Sequence, residues 1–186
     1  MRTLLALLLL MALGCEGQEA LPIQLDAPPG WRQEVITLPP EFAPEMSWTG
    51  VEVLRFSPGM FKPEQADFFS YAFLLKLDSG DPDWETQLLL YYVGLARAVS
   101  GDPNLDVSGF RVFLEGESEA RYGSIQWTEP FVTKSHQKLN LECHQLSPEL
   151  WFVCLSPQLT DMPIWTTLRR MRNDAVRSLK LQKDGL

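Results

Sequence analysis

The chain has few residues of the kinds that hold metal ions. It contains two histidines, His136 and His144, and three cysteines. Neither a Cys-x-x-Cys nor a His-Glu-x-x-His spacing occurs, although these spacings are typical of zinc sites. Cys143 and His144 are neighbours in a predicted strand, where successive side chains point to opposite faces, so the two cannot easily bind one ion. The sequence therefore predicts no metal site and no cofactor.

Short motifs that mark nucleophilic and nucleotide-binding enzymes are also missing. There is no Gly-x-Ser-x-Gly elbow, no phosphate-binding loop and no Gly-x-Gly-x-x-Gly. Carboxylates cluster twice, and two carboxylates about 5–9 Å apart can hydrolyse glycosides. Both clusters lie at predicted turns or at a helix start, where acidic residues are expected anyway, so we predict no catalytic residue and favour a protein that is not an enzyme. The clusters are Asp78, Asp81 and Asp83, and Glu115, Glu117 and Glu119.

Positive charge is scarce. Sixteen lysines and arginines stand against 24 acidic residues, which gives a formal net charge of −8. A domain this acidic repels phosphate backbones, so nucleic acid is not an expected partner. Apolar residues make up 45% of the chain, which is ordinary for a folded protein, and 186 residues suit one domain.

No apolar run is long enough to cross a bilayer, which takes about 20 residues. The run Leu4–Leu13 has ten residues and follows Arg2 at the N-terminus. A short apolar run after a positive charge is typical of a signal peptide. We therefore predict that residues 1–14 are a signal peptide and that the protein is exported.

The predicted signal ends in Ala12-Leu13-Gly14-Cys15, and here the chain resembles the bacterial lipoproteins, whose signals place small residues before an obligatory cysteine. The family pattern usually has leucine where Ala12 stands and a small residue where Leu13 stands. The resemblance covers about the first fifteen residues. It implies that Cys15 is lipidated and that membrane lipid is a partner, since two or more acyl chains anchor a protein stably.

Such an anchor implies a periplasm-facing protein held at the inner or the outer membrane, where an envelope protein is a possible partner. An alternative remains open for the cleavage itself. Ala12 and Gly14 also satisfy the small-x-small rule of ordinary signal peptidase, which would leave Cys15 as a free N-terminal thiol.

Three regions follow from this pattern. Residues 1–14 are the signal peptide, residues 15–30 are predicted to form an extended tether, and residues 31–186 to form a single domain. The tether has few large apolar residues and is stiffened by prolines. The residues that break regular structure there are Pro22, Pro28, Pro29 and Gly30.

The domain is predicted to be α+β, because strands, a helix, further strands and a last helix follow one another. We expect a mainly antiparallel sheet of about six or seven strands with two helices packed on one face. The first helix is expected to have Asp81 as its N-cap and Gly101 as its C-terminal stop, and the second to start near Asp161. The predicted strands are Glu34–Leu38, Val51–Phe56, Phe68–Leu77, Phe110–Glu115, Arg121–Thr128, Lys138–Gln145 and Leu150–Leu155.

A disulfide is predicted between Cys143 and Cys154, which lie at equal distances from the Ser147-Pro148 turn. If the flanking strands pair symmetrically about this turn, the two cysteines lie directly opposite each other, close enough to bond. An oxidising compartment would favour the bond, in agreement with export. The alternative is two buried, reduced cysteines that face the core.

A ligand cleft is predicted around the segment Arg55–Phe61, where a guanidinium, a methionine and an aromatic ring surround a proline-glycine turn. Trp48 and Trp127 would complete the cleft. The alternative is a loop whose Met60 and Phe61 fold back onto the core. We thus expect a lipid-anchored binding protein for a ligand or a protein, the alternative being a periplasmic hydrolase with an acidic or Arg55-containing cleft. The cleft residues are Trp48, Arg55, Met60, Phe61 and Trp127.

Overall fold

The computed structural model describes residues 23–78, 83–117 and 119–184. These residues form one sheet of seven antiparallel strands and two helices, so the predicted α+β class and sheet are confirmed. The predicted signal peptide and Cys15 lie outside the described residues. The strands are β1 (Arg32–Leu38), β2 (Gly50–Phe56), β3 (Tyr71–Leu77), β4 (Arg111–Glu117), β5 (Ala120–Thr128), β6 (His136–Ser147) and β7 (Leu150–Ser156); the helices are α1 (Trp84–Ser100) and α2 (Pro163–Asp184).

The strands follow the order β1-β2-β3-β7-β6-β5-β4 across the sheet. β3 and β7 are central, and their side chains are buried at nearly every position. Such strands are apolar on both faces because both faces are covered. β1 and β4 form the two edges.

The two helices lie on opposite faces of the sheet, which corrects the expectation that both pack on one face. α1 packs through Trp84, Leu88 and Tyr92 into the same core as Leu75 of β3. α2 packs through Trp165 and Leu168 into a second core, with Leu74 of β3 and Phe152 of β7. Because successive strand residues point to opposite faces, each central strand contributes to both cores. We call the two sides the α1 face and the α2 face.

Two predicted element starts are also corrected. α1 begins at Trp84, and its N-cap is Asp83, whose carboxylate accepts a hydrogen bond from the backbone N–H of Thr86 at 3.2 Å. The predicted cap Asp81 lies outside the described residues, whereas the predicted stop Gly101 is confirmed in a left-handed conformation. β3 begins at Tyr71, because Phe69 has a positive φ of 47° and lies in a turn.

Part of the predicted tether belongs to the folded domain. Leu25 is fully buried in the core beneath α2, and Ile23 and Ala27 pack against that core. The carbonyl of Leu25 accepts a hydrogen bond from Nε of Arg55 at 2.7 Å. No helix among the described residues is both long and apolar enough to cross a membrane.

A β-bulge changes the pairing of β6 with β7. Ser147 pairs with Leu150, but beyond the bulge at Leu146 the register shifts by one residue, so that Cys143 pairs with Val153. A one-residue slip turns side chains to the opposite face. Cys143 therefore lies in the core under α1 and Cys154 in the core under α2. Both are free and buried, and the predicted disulfide is wrong for this register.

The full chain with a Cys15→Ser substitution should yield two reactive thiols when it is denatured without reductant, and none when it is native. Burial raises the pKa of both thiols, which keeps them protonated in the fold. Titration with a thiol reagent in urea and in buffer measures this. A denatured, unreduced chain without reactive thiols would show that Cys143 and Cys154 do bond, and that the bulge is absent.

Candidate binding face

The predicted ligand cleft is not assembled. Trp48, Met60 and Trp127 are each less than 6% exposed and form part of the core under α1. Arg55 follows Leu54 of that core and so points to the α2 face, where it holds Leu25. The alternative interpretation, a loop that folds back onto the core, is correct for Met60.

Phe61 remains on the surface and is 41% exposed. Its ring lies 5.5 Å from that of Phe131 and 5.6 Å from the guanidinium carbon of Arg32. The loop that carries Phe131 is held by buried Glu129, whose carboxylate accepts hydrogen bonds from the backbone N–H groups of Phe131, Val132 and Thr133. Phe61 is thus a surface contact of this loop, whereas Trp48, Met60 and Trp127 lie in the core.

Part of the α2 face is left open. α2 contacts β3 and β7, at the centre of the sheet, whereas β4 and β5 lie beyond it. On β6 the side chains of Leu139, Leu141 and Cys143 point to the α1 face, so the side chains of the residues between them point to the α2 face. Residues directly opposite on neighbouring strands share a face. The α2 face therefore has three rows across β4, β5 and β6, which are open except at Glu142, buried beneath Arg169 of α2: Arg111, Gln126 and Lys138; Phe113, Ser124 and Asn140; and Glu115, Tyr122 and Glu142.

Two aromatic rings stand on this open face. Phe113 is 55% exposed and Tyr122 is 50% exposed. Phe113 pairs with Ser124, two residues from Tyr122, which makes the two rings diagonal neighbours within reach of each other. They form a small apolar platform on an otherwise polar surface.

Cations border the platform. Arg111 and Lys138 stand two strands apart in the first row, about 10 Å from each other. Nη1 of the Arg111 guanidinium donates to the carbonyls of Ser108 and Phe110, each at 2.6 Å, which fixes the charged end of this side chain at the edge of the sheet. The exposed Glu115 is the counter-charge in the third row.

A polar network joins the platform to α2. Arg169 donates to both carboxylate oxygens of Glu142, with its shortest contact, from Nη2 to Oε1, at 2.6 Å. Arg172 donates from Nη1 to Nε2 of His144 at 2.9 Å, and the His144 ring packs edge-on against Tyr122 at 5.5 Å. Arg172 therefore holds His144, and His144 in turn holds the ring of Tyr122.

Of the two arginines in this network, only Arg169 is neutralised by a carboxylate within the described part of the chain. Burial alone would raise the pKa of Glu142, but the polar contact with His144 and the hydrogen bonds and positive charge of Arg169 outweigh it and lower the pKa to about 2. Glu142 is thus ionised and neutralises Arg169. The guanidinium of Arg172 has no carboxylate partner among the described residues, and its other contacts are with Asn173. Arg172 is then a third cation beside the platform.

The groups considered for catalysis are not brought together. His136 lies at the start of β6, seven residues from Cys143, and Cys143 is fully buried. Asp83 caps a helix, and the part of the chain that the structure describes holds no group of three metal-binding side chains. Asp83 thus has the structural role expected at a helix start, whereas Glu115 lies within β4 and not in a turn.

One buried acidic residue, Glu52, was not predicted from the sequence. Glu52 is 3% exposed on the α1 face of β2 and accepts a hydrogen bond from the Tyr91 hydroxyl at 3.2 Å. The cavity beside it, also lined by Trp48, has a volume of about 10 Å³. A single water needs about 10–15 Å³, so this cavity is too small for a substrate.

The sequence gives no usable signal for the open face. Phe113 stands between Val112 and Leu114 in an apolar run, and Tyr122 between Arg121 and Gly123, so neither is marked as outward-facing by alternation. No protein-family model, no curated protein and no solved structure matches the chain. Function is therefore inferred from the geometry and chemistry of the open face.

Proposed function

We propose that the chain is an exported, lipid-anchored envelope protein that binds an anionic glycan on the open face of its sheet. The observation that carries this proposal is the exposed Phe113–Tyr122 platform bordered by Arg111, Lys138 and Arg172. Export and anchoring rest on the signal-like segment and on Cys15, as the sequence predicts.

Each part of the face suits one part of such a polymer. The apolar ring faces of sugars pack on exposed aromatic side chains. Hydroxyl groups find donors and acceptors in the side chains of Ser124, Gln126 and Asn140, which lie in the same rows as Phe113 and the cations Arg111 and Lys138. Carboxylate or phosphate groups on the sugars pair with arginine and lysine. The positive border is distinctive in a chain of net charge −8.

A hydrolase finds less support. Its proposed Arg55-containing cleft is not assembled, and the carboxylate of Glu142 is neutralised by Arg169 at 2.6 Å. A protein partner would also meet two aromatic rings and arginine here, since these residues are common at interfaces. The amide and hydroxyl groups beside the rings favour the glycan.

Replacing Tyr122 or Phe113 by alanine should weaken binding to an acidic polysaccharide about tenfold or more, because each loss removes one ring of the platform. Affinity electrophoresis of the Cys15→Ser chain in gels with polygalacturonate measures the retardation. Phe61→Ala is the matched control, because Phe61 is also exposed but lies outside the face. Equal retardation in neutral dextran, or no retardation in polygalacturonate, would contradict the proposal.

Expression of the full chain in a bacterium should place it in the membrane fraction with a mature mass that includes acyl chains. The Cys15→Ser variant should lose both the added mass and the membrane association, since the lipid is the anchor. Intact mass spectrometry of the two fractions makes the comparison. An unmodified chain in the soluble periplasm would contradict the anchor and leave the binding proposal to be tested separately.

A further inference from the structure

A groove of about 410 Å³ runs along the side of α1 that faces away from the sheet. This volume lies in the range of small-molecule sites, about 300–1,000 Å³. Phe42 and Glu45 line it from one side, and Gly101 and Pro103, just beyond the helix, close its end. The walls on the helix are Leu90, Val93, Gly94, Arg97 and Ala98.

The groove exists because Gly94 lets a loop approach the helix closely. A Cβ atom at position 94 would lie 2.1 Å from the carbonyl oxygen of Phe42, which no other residue type permits without a shift of the backbone. The ring of Phe42 is in turn fixed edge-on against Tyr91, with centroids 5.0 Å apart. The wall opposite the helix is thus held in place.

Two opposite charges line this apolar groove without meeting. Nε of Arg97 is buried and has no hydrogen-bond acceptor among the described residues. Glu45 is exposed on the loop, and no ion pair links it to Arg97. A buried guanidinium N–H without an acceptor is costly, since charged donors are normally satisfied.

We propose that this groove binds a short apolar peptide with free termini, whose carboxylate accepts hydrogen bonds from Arg97 and whose ammonium pairs with Glu45. The apolar side chain of the ligand packs on Phe42, Leu90 and Val93. A fatty acid satisfies Arg97 but brings no partner for Glu45, so the pair of charges favours a zwitterion. This site lies on the opposite side of the sheet from the open face and does not depend on glycan binding.

Calorimetric titration of the full Cys15→Ser chain with leucyl-leucine, its N-acetyl form and its C-terminal amide tests the proposal. The free dipeptide should bind, and blocking either terminus should weaken it about tenfold or more, as expected for lost charge-assisted hydrogen bonds. Arg97→Gln should remove the preference for the free carboxylate, and Glu45→Gln the preference for the free amine.

Further variants separate this site from nonspecific effects. Ala98→Phe should fill the groove and abolish binding without touching either charge, whereas Arg177→Gln, an exposed arginine of α2, should leave binding unchanged. Equal affinity for the free dipeptide and for its two blocked forms would overturn the charge recognition. Absence of dipeptide binding, or tighter binding of octanoate than of the dipeptide, would overturn the proposed ligand class.

Discussion

Glu52→Gln should raise the free energy of unfolding at pH 8 by about 3–5 kcal/mol. Burial is the main cause, because it raises the pKa of Glu52 from an ordinary 4.5 to about 8. The hydrogen bond from Tyr91 opposes this shift, and the negative charge of Glu34 adds to it. Glutamine keeps an oxygen that accepts from the Tyr91 hydroxyl but carries no ionisable proton.

The sign of the pH effect follows from the protons bound in each state. Between pH 4.5 and 8 the unfolded chain has an ionised Glu52, whereas the folded chain holds the proton. The free energy of unfolding therefore falls by about 1.4 kcal/mol per pH unit across this window, and the loss is complete above pH 8. Urea unfolding at pH 5, 6.5 and 8 measures the slope. In the Glu52→Gln variant the contribution of Glu52 to this slope should be absent.

Glu34→Gln is the comparison variant. Glu34 lies on the edge strand β1, diagonal to Glu52, and is only half-buried; burial raises its pKa too. Its removal should flatten the slope slightly, because water screens the exposed carboxylate. The groups that face Glu52 from α1 and β3 are the hydroxyls of Tyr91, Tyr92 and Tyr71, whose pKa values burial raises. Parallel slopes in the parent chain and in Glu52→Gln would show that Glu52 is ionised in the fold.

The sequence predicted the elements well because each has a local signal. The apolar run of β3 and the left-handed stop at Gly101 both follow from residue type. The prediction that both helices pack on one face was wrong, although the apolar pattern of the strands indicates otherwise. β3 and β7 are apolar on both faces, and a two-sided strand needs a cover on each side. A helix on each face follows from that burial.

The site was harder to predict because its positions are set by partners far away in the chain. Trp48 and Trp127 look like ligand-binding residues in the sequence, but they fill the core. The bulge at Leu146 has no signature in residue type, yet it sends Cys143 and Cys154 to opposite faces. Which strands α2 leaves open depends on sheet order, which alternation alone does not encode.

Arg169→Ala should lower the free energy of unfolding at pH 7 by about 2 kcal/mol, since it leaves the ionised, buried Glu142 without its main partner. Breaking a fully buried pair costs about 3–5 kcal/mol. The side chain of Arg169 is 40% exposed and that of Glu142 only 6%, so water reaches one member and reduces the cost. The substitution also removes the contact of the guanidinium with Trp165, 5.6 Å from the ring. Urea unfolding of the parent and the variant measures the difference.

Arg177→Ala on the same helix is the matched control. Arg177 pairs with Asp174 at 3.1 Å, but the two side chains are 75% and 40% exposed. Exposed pairs of this kind contribute about 0–1 kcal/mol, so this variant should change stability by less than about 0.5 kcal/mol. A cost equal to that of Arg169→Ala would mean that lost helical packing, and not the buried carboxylate, explains both variants.

The pH dependence separates charge from packing. Glu142 has a lowered pKa of about 2, so its stabilising contribution is present above pH 4.5 and is lost as pH falls toward 2. The difference between the parent and Arg169→Ala should therefore shrink on the acid side, whereas a pure packing loss would stay constant. Glu142 loses its contribution below pH 4.5 and Glu52 opposes folding increasingly above it. The contributions of the two acids therefore have opposite dependence on pH, and Glu52→Gln removes the one that Glu52 makes above pH 4.5.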